Sequence, residues 1–75
     1  MKKLIQAHIY KGEKYYIAEC VDLSVVTQGK TLDELVENLK EAIELHLEGE
    51  NLTELDLIPS PAILVNLELE TKIYA

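Results

Sequence analysis

Residues 16–48 read YIAECVDLSVVTQGKTLDELVENLKEAIELHLE. Two apolar runs rich in strand formers lead into Gln28-Gly29-Lys30-Thr31, and that turn opens a long amphipathic helix. Thr31 suits the N-cap, because its hydroxyl can accept a free backbone N–H of the first turn. Glu34, three residues on, completes a capping-box pattern. Asp33 and Glu34 also lie near the positive end of the helix dipole. Leu32, Leu35, Val36, Leu39, Ile43 and Leu47 recur at helical spacing and define one apolar stripe. Gly49 is a C-terminal stop signal. The spacing predicts a helix over residues 32–48 whose outer face carries Asp33, Glu34, Glu37, Glu41, Glu44 and Glu48.

Upstream, residues 3–10 alternate as a strand does, and 15–20 form a second run. Lys11-Gly12-Glu13-Lys14 is the turn between them. With Gly12-Glu13 as a two-residue type II′ loop, Ile9 pairs with Tyr16, Ala7 with Ala18 and Ile5 with Cys20. Those six make an apolar face. Leu4, Gln6, His8, Tyr10, Tyr15, Ile17 and Glu19 make a mixed one. Val21-Asp22-Leu23 is a connection, and 24–28 a short third strand.

Downstream, residues 49–61 read as a linker whose Leu52, Leu55 and Leu57 tuck against the body, with Pro59 and Pro61 at its end. Residues 62–70 alternate again: Ile63, Val65, Leu67 and Leu69 on one side, Asn66, Glu68 and Glu70 towards the other. Residues 71–75 are a tail. The element order is β-β-β-α-β. It predicts an α+β two-layer sandwich, a single domain over 1–75, with one sheet covered on one face by one helix and bare on the other.

Composition narrows the function. The chain has 75 residues and 48% hydrophobic content, so it is globular with a modest core. Self-association, as a homodimer or higher homo-oligomer, would cover the bare sheet face. One cysteine allows no intrachain disulfide. No apolar run reaches the roughly 18 residues a membrane span requires, and the N-terminus lacks a signal-peptide core. A cytoplasmic protein is expected. Residues 1–30 hold five lysines against three acids, a net of +2, while 31–75 hold two lysines against eleven acids, a net of −9. There is no arginine. That balance argues against direct DNA or RNA binding, which needs a basic footprint, and favours a basic partner.

The motifs with catalytic associations resolve into structural roles. Gly29-Lys30-Thr31 resembles the end of a phosphate-binding loop, but Ser24 stands where that pattern needs its first glycine. A turn followed by a helix cap explains it. His8, His46 and Cys20 do not share a ligand spacing, so no metal is expected. Cys20 lacks a basic neighbour and falls on the apolar face, as an inert thiol would. Neither Ser24 nor Ser60 has a histidine placed as a base. The helix carboxylates are spaced as one solvated face. No cofactor and no catalytic residues are expected, and the chain reads as a non-enzyme.

Surfaces are the better candidates. The mixed sheet face offers His8, Tyr10, Tyr15, Ile17 and Glu19 to a partner or a second subunit, and tyrosine suits such a role because it is large and amphipathic. Asp22, in the following loop, extends it. Leu45 projects away from the helix stripe. A lone exposed leucine is ordinary, and a subunit contact is the sharper reading. Gly12, Gly29, Thr31 and Glu34 are structural.

The runs Tyr16-Ile17-Ala18-Glu19-Cys20, Thr27 to Glu34, Asn38 to Leu45 and Leu47-Glu48 together resemble the HicB antitoxin family, with its "YxA" strand, "TQGxT" turn and "EExxxNxxEAIxLxLE" helix. The resemblance covers about half the chain and lies in the combination rather than in any one motif. It implies a truncated ribonuclease-H-like fold in the order β-β-β-α-β. It also implies an antitoxin that binds a HicA-like toxin, a small basic RNase, and masks its active site. Many members carry a C-terminal DNA-binding segment. Here a strand and a short tail are expected in its place. The loop VDLSVV stands where many members have "PDLPGC", and the shorter form occurs among small stand-alone members. An oligomeric scaffold or regulator without a toxin is therefore the alternative. Nucleases of the parent fold place a metal-binding aspartate on the first strand, and residues 3–10 contain no acid.

Overall fold

The computed structural model describes the backbone of residues 2–51 and 57–71 and the side chains of 4–51 and 61–71. Five elements follow in order: β1 (Lys2–Lys11), β2 (Tyr16–Cys20), β3 (Val26–Gly29), α1 (Leu32–Leu47) and β4 (Leu57–Leu67). They form one four-stranded sheet in the order β3-β2-β1-β4. β2 is antiparallel to both β1 and β3, and β4 is parallel to β1. The helix packs on one side of the sheet, which gives the expected two-layer α+β arrangement. No helix among the described residues is long and apolar enough to cross a membrane.

The core lies between the helix and the inner strands. Ile5, Ala7 and Ile9 of β1, Ala18 of β2, Val25 and the helix residues Leu35, Leu39 and Ile43 are all buried. Tyr16, Cys20, Leu23, Ala42, Leu47 and Ile63 pack around them. Burying each Leu or Ile side chain stabilises by about 1.5–3 kcal/mol. No buried side chain among those described lacks a polar partner it needs.

The helix begins as expected. The Thr31 hydroxyl accepts the Glu34 N–H at 3.1 Å. Only this threonine half of the capping box is made. The helix ends at Leu47, one residue short of expectation, and Gly49 follows with φ +76°. That left-handed conformation is cheap for glycine alone, and it lets the Glu50 N–H reach the Leu47 carbonyl at 3.0 Å. Leu32 and Val36 stand at the exposed margin of the stripe, and Ala42 takes a place beside the core instead.

Three expectations are corrected. The β1–β2 register pairs Ala7 with Cys20, Ile9 with Ala18 and Lys11 with Tyr16, not Ile5 with Cys20, Ala7 with Ala18 and Ile9 with Tyr16. Each partner moves by two positions, so every side chain keeps its face. The Gly12 N–H donates to the Tyr15 carbonyl at 2.8 Å, which places the tip at Glu13-Lys14. Gly12 does not adopt the positive φ that a type II′ loop requires. β3 runs Val26–Gly29 rather than 24–28, because Val25 still belongs to the connection, its N–H bonded to the Leu23 carbonyl at 2.8 Å.

The third correction concerns β4, which starts at Leu57, inside the expected linker, and contains Pro59 and Pro61. It is an edge strand, where a missing N–H is tolerated. Of the residues expected to face the core, only Ile63 packs there. Val65 is 40% exposed and Leu67 41%, while Leu69, 72% exposed, lies beyond the strand. The helix lies over β3 and β2 and does not extend across β4. Leu52 and Leu55, and the side chain of Leu57, lie outside the described residues.

Candidate functional site

Alternation along the strands sorts the side chains of the uncovered sheet face. β1 contributes Leu4, Gln6, His8 and Tyr10, and β2 contributes Ile17 and Glu19. Cross-strand pairing sets His8 beside Glu19 and Tyr10 beside Ile17. β3 adds Val26 next to Glu19 and Gln28 next to Ile17. β4 adds Leu64 beside Gln6 and Asn66 beside His8. Isoleucine and tyrosine on this face are half-buried by their neighbours, and the remaining side chains are exposed.

The polar groups at its centre are linked. The Tyr10 hydroxyl donates to Glu19 Oε1 at 2.7 Å. The His8 ring lies 5.9 Å from the Tyr10 ring, tilted by 32°. His8 Nε2 is 3.5 Å from Glu68 Oε2. The Tyr10 phenol is held above its ordinary range, chiefly because it donates to Glu19 and secondarily through partial desolvation and the carboxylate charge. The phenol therefore stays a hydrogen-bond donor at neutral pH. The arrangement presents a carboxylate, an imidazole and a phenol on a flat, partly apolar floor. Such a floor suits contact with another macromolecule better than enclosure of a small substrate.

The structure brings together four of the seven expected surface residues: His8, Tyr10, Ile17 and Glu19. Tyr15 lies at the end of the hairpin turn and Asp22 in the exposed β2–β3 connection, so both border the face. Leu45 is 62% exposed on the helix, in the opposite layer. It cannot share one flat contact with the other six. Asn66 lies on the side that the alternation of 62–70 gave it, opposite Ile63 and Val65. Leu64 and Val26 were missed as members of the face, although Leu64 shares the parity of Asn66.

A shallow cleft of about 470 Å³ opens at the hairpin end of the sheet, lined by Tyr10, Lys11, Gly12, Tyr16 and residues 68–70. Lys11 Nζ sits 5.4 Å from the centre of the Tyr16 ring, a cation–π arrangement. The lining mixes both charge signs and offers no nucleophile with an adjacent base. Cys20 is half-buried on the helix side, and burial, with the nearby Asp22 carboxylate, pushes its thiol up. It stays protonated and is a poor nucleophile. Among the described residues no group of three or more His, Cys, Asp or Glu side chains is placed to hold a metal ion.

Gly29-Lys30-Thr31 has a packing role. A Cβ on Gly29 would stand 2.6 Å from the Leu35 nitrogen and 2.8 Å from its Cα. The strand thus runs against the helix backbone where only glycine fits. Beside it, Asn38 Nδ2 donates to the Gln28 carbonyl at 2.8 Å. Helix and third strand are therefore joined at the two adjacent strand residues 28 and 29. Comparison of the chain with models of known families, with curated proteins and with solved structures found no match.

Proposed function

We propose that this protein is a non-enzymatic binding module, a HicB-like antitoxin that neutralises a small basic RNase of the HicA type by masking its active site. The resemblance of the Tyr16–Glu48 motif series suggests the family. The observation that carries the mode of action is the uncovered sheet face, with Glu19, Tyr10 and His8 linked at its centre. An open sheet face with linked polar groups and a tyrosine among aliphatic side chains favours a protein partner. The net charge of −7 favours a basic one. In this reading the protein acts in the cytoplasm, where its target is made, without a cofactor or direct contact with DNA.

The test is co-expression with a candidate basic toxin encoded beside it. Growth should be rescued, and the two chains should co-purify. Reversing charge at Glu19 and Asp22 to lysine should weaken the complex by at least about tenfold, the scale of one interfacial ion pair. Unchanged affinity would remove this face from the contact. A second reading, an oligomeric scaffold or regulator without a toxin, is favoured by the VDLSVV loop. Absence of any basic co-purifying chain would support it.

A further inference from the structure

The two edges of the sheet are treated differently. β3 is a short edge of four residues, and Asn38 of the helix occupies one of its outward groups, the Gln28 carbonyl. At β4 the described residues provide no such cover. The direction of its backbone follows from one hydrogen bond: the Glu68 N–H donates to the Ile9 carbonyl of β1 at 2.8 Å. Backbone groups alternate along a strand, so Leu64, Asn66 and Glu68 turn their N–H groups towards β1. Ile63, Val65 and Leu67 turn theirs outward, as Pro61 would if it had one. No backbone group of the described residues hydrogen-bonds these outward groups. Natural edge strands are usually blunted by charges, prolines, bulges or cover, and β4 has prolines and a register shift only in its first part, up to Pro61. Residues 62–67 read AILVNL and carry no charge, and their pairing with β1 is regular from Ala62 to Leu67.

We infer that β4 is a homodimer interface, in which two copies pair antiparallel about a two-fold axis at Val65 and join their sheets into one. Three features single out a second copy as the occupant. First, the outward donors at Ile63, Val65 and Leu67 are symmetric about Val65, and Pro61 falls just outside the ladder. Only this centre pairs all three donors within the strand itself. Second, the pairing sets Val65 against Val65 and Ile63 against Leu67 on the helix side. These are aliphatic cross-strand pairs of the stabilising kind. Leu64 faces Asn66 on the other side. Third, Glu68 falls opposite Ala62, so two strongly acidic chains meet here without placing acid against acid. A basic partner would find no carboxylate along 62–67. This interface is independent of the toxin reading and leaves the Tyr10–Glu19 face open.

The test measures the mass of the full chain in solution by sedimentation across a concentration series. Wild type should be dimeric. Val65→Lys and Val65→Glu should each be monomeric, because like charges then meet at the axis. An equimolar mixture of the two should dimerise again. Amide exchange on the unaltered protein provides a second reading that does not depend on a variant folding. Ile63, Val65 and Leu67 should be protected at high concentration and exposed on dilution, while Leu64 and Asn66 stay protected throughout. A wild type that is monomeric at every concentration would overturn the inference. So would a dimer indifferent to both charged variants, a failure of the mixture to restore it, or outward amides whose exchange ignores concentration.

Discussion

At Tyr10 a single proton reports on the open sheet face. Its hydroxyl donates to Glu19, so removing that proton would leave a phenolate against a carboxylate. The folded protein therefore holds the phenol above its ordinary value of 10.0. The sign follows from linkage: an acid whose folded pKa is raised contributes stability that is complete below its unfolded pKa. That contribution is lost as pH rises through the folded value. The difference between the phenolate absorbance titrations of wild type and Tyr10→Phe isolates this residue. Its midpoint should lie above 10.0, and Glu19→Gln should bring it down. A Tyr10 that titrates at or below the ordinary value would break the link between the two side chains.

The elements owe their geometry to two glycines that act for different reasons. Gly29 has an ordinary backbone, but an added Cβ would strike the Leu35 backbone at 2.6 Å. Gly49 has open space around it and a φ of +76°. Gly29→Ala should therefore destabilise by about 1–3 kcal/mol through overpacking, and Gly29→Asn by at least as much. Gly49→Ala should cost about 1–2 kcal/mol, whereas Gly49→Asn should recover part of that, since asparagine tolerates the left-handed region. Denaturant midpoints of the four variants decide it; equal asparagine penalties at both sites would refute the distinction. The helix was legible from sequence because its signals are local: a cap at Thr31, a stripe at Leu35, Leu39 and Ile43, and a stop at Gly49. The hairpin register was not. A shift of two residues leaves Ile9, Ala7 and Ala18 on the same face, so alternation cannot detect it. The start of β4 was hidden by Pro59 and Pro61. They read as linker unless the strand is known to be an edge, and that is a property of sheet order. The members of the open face came from alternation on β1 and β2. Leu45, which helical periodicity placed away from the apolar stripe, is indeed exposed, on the helix layer rather than on the open sheet face.

On the scale of the whole molecule, charge separates the two proposed contacts. The chain carries a net −7, with exposed acids on the outer helix and on both margins of the open face. A basic partner approaching that face is steered over distances comparable to the screening length, about 10 Å at 0.1 M salt and about 3 Å at 1 M. Raising salt should therefore slow association with the partner while changing dissociation less. The β4 pairing has the opposite character. Its strand bears no charge over residues 62–67, and two chains of like sign must come together to form it. Screening weakens their mutual repulsion, so added salt should tighten the dimer. Paired measurements on one preparation make the comparison direct: partner association by stopped flow, and dimer dissociation constant by sedimentation, at low and high salt. Opposite salt slopes are the expected outcome. A dimer that loosens with salt would point to ion pairs at its interface, which the Val65-centred ladder does not contain. A partner whose association rate ignores salt would remove electrostatic steering from the recognition mechanism.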